Sequence, residues 1–399
     1  MSAAAGYLVI WFVPRVLDKA DNAEFLAFWS ALFLLFGLLG GLQTEIVRHV
    51  TARGADRHER HPEDHPKSVG LFRVVLTLSG SLAVILAASS FLWGPAVLGP
   101  HWGVLALVLA GSCLAFSIHA ALAGVLSGRR SWGHFSTLVA SESTFRLALV
   151  LAVGLLAGST AGIAAAAGAG ALAWVLVSVF RPEVRGAFAQ RLDVPAQVFA
   201  RKVGHASIAT AASASLMVGF PILYRLTTPS PVYLASAPLL LAILLTRAPL
   251  MVPLGTFQSV AIAHFVAHRH RGLAALRPIA LLLGAVAALG AVAAYFLGPW
   301  LMVLLFGPDY LVEPWILAGL TVAAALLALL TLTGGMCVAL NRHRVSSLGW
   351  VLAGAVTLVV LLLPVEADLR AVMSLLLGPL LGVGIHIFAL SRQVSFVRV

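Results

Sequence analysis

The sequence has few charged residues. Only 10% of its 399 residues are Asp, Glu, Lys or Arg, whereas 60% are hydrophobic, and the mean hydropathy is +0.99. Soluble domains contain about 25% charged residues. Apolar runs that approach the ~20 residues needed to cross a bilayer as a helix recur along the whole chain. This composition excludes a soluble domain and predicts an all-α polytopic membrane protein.

Cysteine and nucleotide-binding motifs are equally sparse. The two cysteines, Cys113 and Cys337, lie in apolar runs and predict neither a disulfide framework nor a metal site. The pattern GxxxxGK[ST] is absent, so we expect no ATP hydrolysis by this chain. No G-x-S-x-G motif suggests a serine nucleophile. We therefore expect no enzymatic activity, no cofactor and no metal, and an ion gradient or the membrane potential as the energy source.

The sequence contains many predicted membrane spans, and the loops between them have a strong charge bias. If the N-terminus is cytoplasmic, 20 of the 26 Lys and Arg residues fall in the inner loops and the C-terminal tail. This positive-inside bias predicts a multi-pass membrane protein with both termini in the cytoplasm. It also explains the net charge of +11 by topology and anionic lipid, without a nucleic-acid partner. The twelve predicted spans are roughly 2–14, 25–47, 71–95, 102–126, 136–158, 160–180, 203–224, 232–262, 278–298, 313–338, 347–364 and 371–391.

The two halves of the chain resemble each other. GLQTEIVRHV (41–50) resembles TFQSVAIAHF (256–265), and VLSGRR (125–130) aligns with VALNRH (338–343). Because each half has six spans, the repeat is predicted to be parallel, with its axis along the membrane normal. Paired lobes of this kind enclose a central site and alternate its access. The predicted domains are a six-helix lobe (1–180), a basic cytoplasmic linker (181–202) and a second six-helix lobe with a short tail (203–399).

Several motifs indicate a known superfamily. They are the charged inner end of the second span (LQTEIVRHV), the turn VLSGRRSWGHF, the segment FGPDY (306–310) and CVALNRHR (337–344). With the 6+6 plan, these motifs resemble the multidrug/oligosaccharidyl-lipid/polysaccharide exporter superfamily, most closely its bacterial flippases for lipid-linked polysaccharides. The resemblance implies a location in the bacterial cytoplasmic (inner) membrane and a cavity lined by arginines on the first, second and eighth helices. Arg15, Arg48 and Arg247 are the matching positions here.

Two charges inside the fifth span stand out. Glu142 and Arg146 are four residues apart and share one helix face. Arg146 lies roughly 18 Å past the inner edge of the span, where a charge costs ~2.5–3.5 kcal/mol. The pair is either the wall of a cavity, where Arg146 contacts an anionic headgroup and Glu142 holds it in place or exchanges a proton, or a self-neutralising staple within the first lobe. In the second half Val359 aligns with Arg146 and Ala355 aligns with Glu142, so the charges do not repeat.

Arg247 lies in the middle of the eighth predicted span. It either faces the cavity or pairs with an acid on another helix, for which Glu142 is the candidate. Pro249 and Pro253 follow it, and prolines kink helices and free carbonyl oxygens. With Pro221 and Pro238, these prolines are the predicted hinges of a gate.

Arginines near the span ends complete the candidate site. Arg48 and Glu45 end the second span at the inner rim, either as substrate-binding and coupling residues or as a snorkelling pair. Arg15 ends the first span at the outer rim, with the same two interpretations. Arginine suits an anionic headgroup because its planar fork binds phosphate oxygens in pairs.

These residues lead to a functional hypothesis. The chain is expected to translocate a polyprenyl-(pyro)phosphate-linked glycan by alternating access through a cationic cavity. Its expected partners are this substrate, membrane lipids and glycan-assembly enzymes. The alternatives are a drug or cation exporter of the same fold, a membrane glycan polymerase or glycosyltransferase, and a scaffold of a glycan-assembly complex.

Overall fold

The computed structural model describes residues 2–56, 69–267 and 273–394. In these ranges the chain is almost entirely helical, and its only strands are two residues long. Long apolar helices are the expected solution in a bilayer, because a helix satisfies its own backbone hydrogen bonds where water is absent. The predicted all-α polytopic membrane class is therefore confirmed.

The chain divides into two compact units after Ala214. Unit 1 is Met1–Ala214 and unit 2 is Ser215–Val399. The helices of unit 1 are α1 (Ser2–Phe12), α2 (Lys19–Asp56), α3 (Leu71–Leu98), α4 (Trp102–Gly128), α5 (Trp132–Leu156), α6 (Thr160–Ala169), α7 (Ala173–Phe180), α8 (Pro182–Ala187) and most of α9 (Ala196–Met217). Those of unit 2 are α10 (Phe220–Thr227), α11 (Ser230–Ala235), α12 (Ala237–Ala267), α13 (Arg277–Phe306), α14 (Pro314–Ala339), α15 (His343–Leu361) and α16 (Ala367–Val394).

Turn residues end and begin these helices in the expected way. Gly99 (φ 70°) ends α3 and Gly307 (φ 101°) ends α13, each followed by a proline. Glycine adopts positive φ without steric cost, and proline cannot continue a helix. The hydroxyl of Ser159 accepts a hydrogen bond from the Gly162 amide (3.2 Å) and so caps the start of α6.

Nine segments in the described residues are long and apolar enough to cross a membrane, or ten if the bent pair α9 and α10 counts as one. One of the nine, Leu71–Gly128, contains the two separate helices α3 and α4, which pack against each other. Ala4–Arg15 is a shorter apolar helix. The count of twelve spans and the parallel 6+6 arrangement stay predictions.

The same helix pairs recur inside each unit. In unit 1, α4 packs on α2, α3 and α6, and α5 packs on α1 and α6. In unit 2, α14 packs on α12, α13 and α16, and α15 packs on α10 and α16. This recurrence supports the predicted internal repeat.

A shared helix end corrects the register of that repeat. Arg130 and Asn341 both have φ 58°. Each donates its amide to a carbonyl three residues back, 2.9 Å for Arg130 to Ser127 and 3.0 Å for Asn341 to Val338. Residues 125–130 therefore correspond to 336–341, two positions earlier than the sequence alignment predicts. In this register Arg146 corresponds to Thr357 and Glu142 to Ala353.

The predicted linker, 181–202, folds onto unit 1. It contains α8, a two-residue strand (β2, Arg191–Leu192) and the start of α9. β2 pairs antiparallel with β1 (Val69–Gly70), and Val184, Leu192 and Phe199 are buried in the unit 1 core. The boundary between the units lies inside α9, beyond the predicted start of the second lobe at 203. The predicted domain boundaries themselves stay a prediction.

The first part of α9 lies against α2, at a seam of small residues. The Thr210 hydroxyl reaches the Leu38 carbonyl at 3.4 Å. A methyl group on Gly41 would overlap the backbone of Ser207, whereas one on the neighbouring Gly40 would meet nothing within 4 Å. Gly41 is therefore a contact glycine and Gly40 is not.

We predict opposite effects of alanine at these two positions. Gly40→Ala should leave thermal stability unchanged or raise it, since alanine is favoured over glycine in a helix by ~0.5–1 kcal/mol. Gly41→Ala should lower the melting temperature, because the methyl group forces α2 and α9 apart. Melting of both purified variants in detergent measures the difference. Equal melting temperatures would contradict the close approach.

Candidate functional site

The Glu142–Arg146 pair forms on one face of α5, as its spacing predicts. Arg146 Nη2 donates to Glu142 Oε1, and both side chains are buried, with 5% and 7% of the residue surface exposed. The Ser143 hydroxyl lies 3.3 Å from the other carboxylate oxygen, but also 3.1 Å from the Val139 carbonyl, so the two acceptors share its one proton. The charged partner of Glu142 is thus on its own helix, inside unit 1.

Arg146 has further partners on neighbouring segments. Its Nε donates to the Ala167 carbonyl of α6 at 3.0 Å. Gly170 lies so close to Arg146 that a side chain there would overlap its Cβ. The guanidinium is therefore held by charge, by a backbone oxygen and by tight packing.

An aromatic stripe on α2 covers the same guanidinium. The Cζ atom of Arg146 lies 4.8 Å from the ring centre of Phe33, 5.3 Å from Phe36 and 6.0 Å from Trp29. Cations within about 6 Å of an aromatic face are attracted to it. This stripe was not predicted from the sequence, although its spacing of four and three residues in WSALFLLF places the three rings on one helix face.

Unit 2 has the same local packing without the charges. At the position of Arg146, buried Thr357 donates its hydroxyl to the Ser374 carbonyl of α16 at 3.1 Å. A methyl group on Gly378 would meet Thr357 and Ala353, much as one on Gly170 would meet Arg146. This helix packing therefore does not require an ion pair, and the charges of unit 1 are an addition to it.

Arg247 of α12 is buried, with 7% of its surface exposed. Its Nη1 donates to the carbonyls of Leu216 (3.1 Å) and Met217 (2.9 Å) at the end of α9. The last carbonyls of a helix have no partner within it, and a cation is favoured at this negative end. Here the helix stops, and α10 continues at an angle of 71°. Arg247 thus binds the carbonyls exposed by a break in the chain.

The four candidate hinge prolines occupy different places. Pro221 lies in the first turn of α10, directly after the break. Pro238 lies in the first turn of α12, which continues through Pro249 and Pro253 to Ala267. The structure therefore places a sharp bend next to Pro221. A gating role for the four prolines remains a prediction.

The two remaining arginines, Arg48 and Arg15, are accessible, whereas Glu45 is buried. Arg48 Nη2 donates to Glu45 Oε1 at 2.8 Å, with the Arg48 side chain 62% exposed and that of Glu45 9% exposed. Arg15 is exposed, stacks on Trp11 with 3.7 Å from Cζ to the ring centre, and donates to the Trp11 carbonyl. Arg48 and Arg15 thus present guanidinium surface to a ligand, while Arg146 and Arg247 are enclosed by protein groups.

Solved transporter structures share this fold. An inward-facing multidrug resistance MATE family transporter of the MOP superfamily matches with a TM-score of 0.72 at 14% identity, over 100% of this chain and 96% of the other. The lipid II flippase MurJ, in an inward closed conformation, matches with a TM-score of 0.68 at 13% identity, over 98% and 86%. A MOP superfamily transporter from Pyrococcus furiosus, described as having a binding pocket of reverse polarity, gives 0.65 at 13% identity, over 97% and 92%. The chain has the MOP superfamily fold, which confirms the resemblance at the level of fold.

Sequence relatives define the family more narrowly. No family model matches the chain. A protein of Mycobacterium tuberculosis (strain H37Rv), described as uncharacterized protein Rv3630, is 38% identical over 98% of this chain and 90% of its own length. A second one from the same strain, uncharacterized protein Rv1510, is 37% identical with the same coverage. The chain belongs to the family of these mycobacterial proteins.

We predict that the ion pair can be removed only as a pair. Glu142→Met should cost about 3–5 kcal/mol, because it leaves the Arg146 charge buried without its carboxylate. The double change Glu142→Met with Arg146→Met should recover most of this loss, as the uncharged equivalents in unit 2 suggest. Glu45→Met is the matched control and should cost about 0–1 kcal/mol, since its partner is exposed. A double variant no more stable than the single one would contradict this account.

For Arg247 we predict a local effect on the helix break. Arg247→Met should destabilise the protein by about 1–3 kcal/mol, because the carbonyls of Leu216 and Met217 lose their donor. Arg247→Lys should retain part of the stability, since an ammonium still donates to a helix end. Thermal melts and amide hydrogen exchange across residues 214–222 measure both effects.

The neighbouring change Thr246→Val is the control. The Thr246 hydroxyl bonds within its own helix, to Ala242 at 2.8 Å, so it should not alter exchange at the break. Unchanged hydrogen exchange in Arg247→Met would contradict a role of Arg247 in holding the end of α9.

Proposed function

We propose that this protein is a flippase that carries an anionic lipid-linked glycan across the bacterial cytoplasmic membrane. The substrate class is a polyprenyl phosphate or pyrophosphate bearing a short glycan. The proposal is supported by the fold, which the lipid II flippase MurJ shares. That similarity alone does not distinguish an anionic lipid from a drug, because MATE transporters share the fold as well.

The observation that carries the proposal is the sign of the charge inside the spans. In unit 2 the arginine Arg247 lies mid-helix, whereas all four acids lie at helix ends or in connections. These acids are Asp309, Glu313, Glu366 and Asp368. In unit 1 Glu142 is neutralised by Arg146 and Glu45 is paired with Arg48, while buried Glu24 lies in the second turn of α2. A cationic substrate would need acids or open aromatic faces, so this arrangement favours an anionic one.

The four candidate arginines differ in side-chain exposure, and we assign them different roles accordingly. We assign headgroup contact to Arg48 and Arg15, whose guanidinium groups are accessible and can donate two parallel hydrogen bonds to phosphate oxygens. The sequence also predicts contacts from Arg146 and Arg247. In this proposal those two contribute positive potential from fixed positions within the protein, and Glu45 orients Arg48 through their ion pair.

The energy for such a step is available without ATP. A negatively charged headgroup that moves outward is driven by an inside-negative membrane potential, by about 2.3 kcal/mol per charge for each 100 mV. The bend beside Pro221 supplies a place where the chain can change direction during alternating access. In this proposal the protein is a transporter, and its partners are the glycan lipid and the enzymes that assemble it.

A drug exporter is the second candidate. It is favoured by the MATE family match, which has a higher TM-score (0.72) than the MurJ match (0.68). The charge distribution points the other way, so a transport assay with both kinds of substrate decides between them.

We predict that Arg48→Ala lowers flipping of a fluorescent polyprenyl-pyrophosphate oligosaccharide in proteoliposomes by about tenfold or more, as expected for the loss of one charged hydrogen bond of ~1.5–3 kcal/mol. Arg48→Lys should restore little, because an ammonium lacks the paired donors. The control is Arg344→Ala, which removes one exposed arginine from the first turn of α15 and should flip normally.

The same vesicles loaded with ethidium test the alternative. We expect no ethidium transport. If the wild-type protein moves ethidium and leaves the glycan lipid in place, the proposed function is wrong.

A further inference from the structure

The surroundings of the Arg146 guanidinium are those of a bound organic cation. We propose that unit 1 contains a binding site for small organic cations that the protein fills with its own Arg146 side chain. The site consists of the Glu142 carboxylate, the Ala167 carbonyl and the rings of Trp29, Phe33 and Phe36, here called the Arg146 cage. Without the side chain, the cage would take a guanidinium or alkylammonium ion.

The cage supplies every type of contact that such an ion requires. The carboxylate provides a charge-assisted hydrogen bond, and the Ala167 oxygen accepts a second one at 3.0 Å. The aromatic rings supply the flat, electron-rich faces found in sites for quaternary ammonium ligands. These groups come from three helices of one unit, α2, α5 and α6.

The aromatic wall is held in place by neighbours. Phe36 stacks on Phe116 of α4, with ring centres 3.8 Å apart and an angle of 8° between the planes. Phe116 in turn stacks on His119 at 5.2 Å. Because these rings do not depend on Arg146 for their packing, the wall should persist when the arginine is shortened.

Without the Arg146 side chain, the buried carboxylate of Glu142 should attract a cation into the cage. Glu142 has only 7% of its surface exposed, and a buried carboxylate without a partner is strongly unfavourable. Arg146→Ala would leave both this carboxylate and the space of the missing guanidinium. An external cation of the same shape would both pair with this carboxylate and fill the space. In the wild-type protein the internal arginine prevents such ions from binding.

The experiment is a chemical rescue of the purified Arg146→Ala variant. Guanidinium and ethylguanidinium chloride are titrated at concentrations far below those that denature proteins, with sodium chloride at matched ionic strength, and thermal melting is recorded. We expect a saturable rise of the melting temperature by at least ~2 °C for the variant. We expect none for the wild-type protein or for Arg344→Ala.

Two further variants identify the contacts. The double variant Glu142→Ala with Arg146→Ala should lose the rescue, since the carboxylate is gone. Phe33→Ala in the Arg146→Ala background should weaken it, since the nearest ring is gone. Equal rescue in the Glu142 double variant, or no rescue of Arg146→Ala, would overturn the proposal.

Arg146→Ala leaves a buried carboxylate without its partner and can prevent folding, so a second measurement accompanies it. If it does not yield folded protein, purification in ethylguanidinium should recover a monodisperse sample that sodium chloride does not. Failure of that recovery also counts against the cage. Both measurements report binding and not transport, so their outcome is separate from that of the flippase proposal.

Discussion

The cost of a charge inside the bilayer is the constraint on which the rest of this structure depends. A membrane span offers no water to a guanidinium, so the protein itself must supply the partners. It does so in two ways. Arg146 receives a carboxylate, a carbonyl and three aromatic faces, whereas Arg247 receives the terminal carbonyls of a broken helix. Each arginine thereby connects separate helices: Arg146 links α5 to α2 and α6, and Arg247 links α12 to the end of α9.

The two units show how a repeated scaffold acquires different chemistry. The packing of α5 on α6 in unit 1 recurs as α15 on α16 in unit 2, with a close glycine in both. In the register set by Arg130 and Asn341, Thr357 and Ala353 correspond to Arg146 and Glu142. A hydroxyl bonded to a backbone oxygen is sufficient for this packing. The ion pair is therefore a feature of unit 1 in its own right, and its aromatic surroundings suggest what it contributes.

The fold by itself does not identify a substrate. Structures described as a multidrug resistance MATE family transporter and as a lipid II flippase share this architecture at 13–14% identity. Our proposal of an anionic substrate rests on the distribution of charge, since Glu142 and Glu45 are paired with arginines and the accessible groups, Arg48 and Arg15, are positive. The mycobacterial relatives match along nearly the whole chain, so the same question applies to them.

The sequence by itself determined the membrane class, the residues that carry charge into the spans and the Glu142–Arg146 pair. These depend on composition and on neighbours within one helix, where a spacing of four residues decides contact. Tertiary structure alone decided the partners of Arg247, because Leu216 and Met217 lie some 30 residues away. It also decided the aromatic cover of Arg146, because those rings belong to another helix. Hydropathy shows that a residue lies within the bilayer, but not which helix lies beside it, since packing between membrane helices depends on shape and close approach.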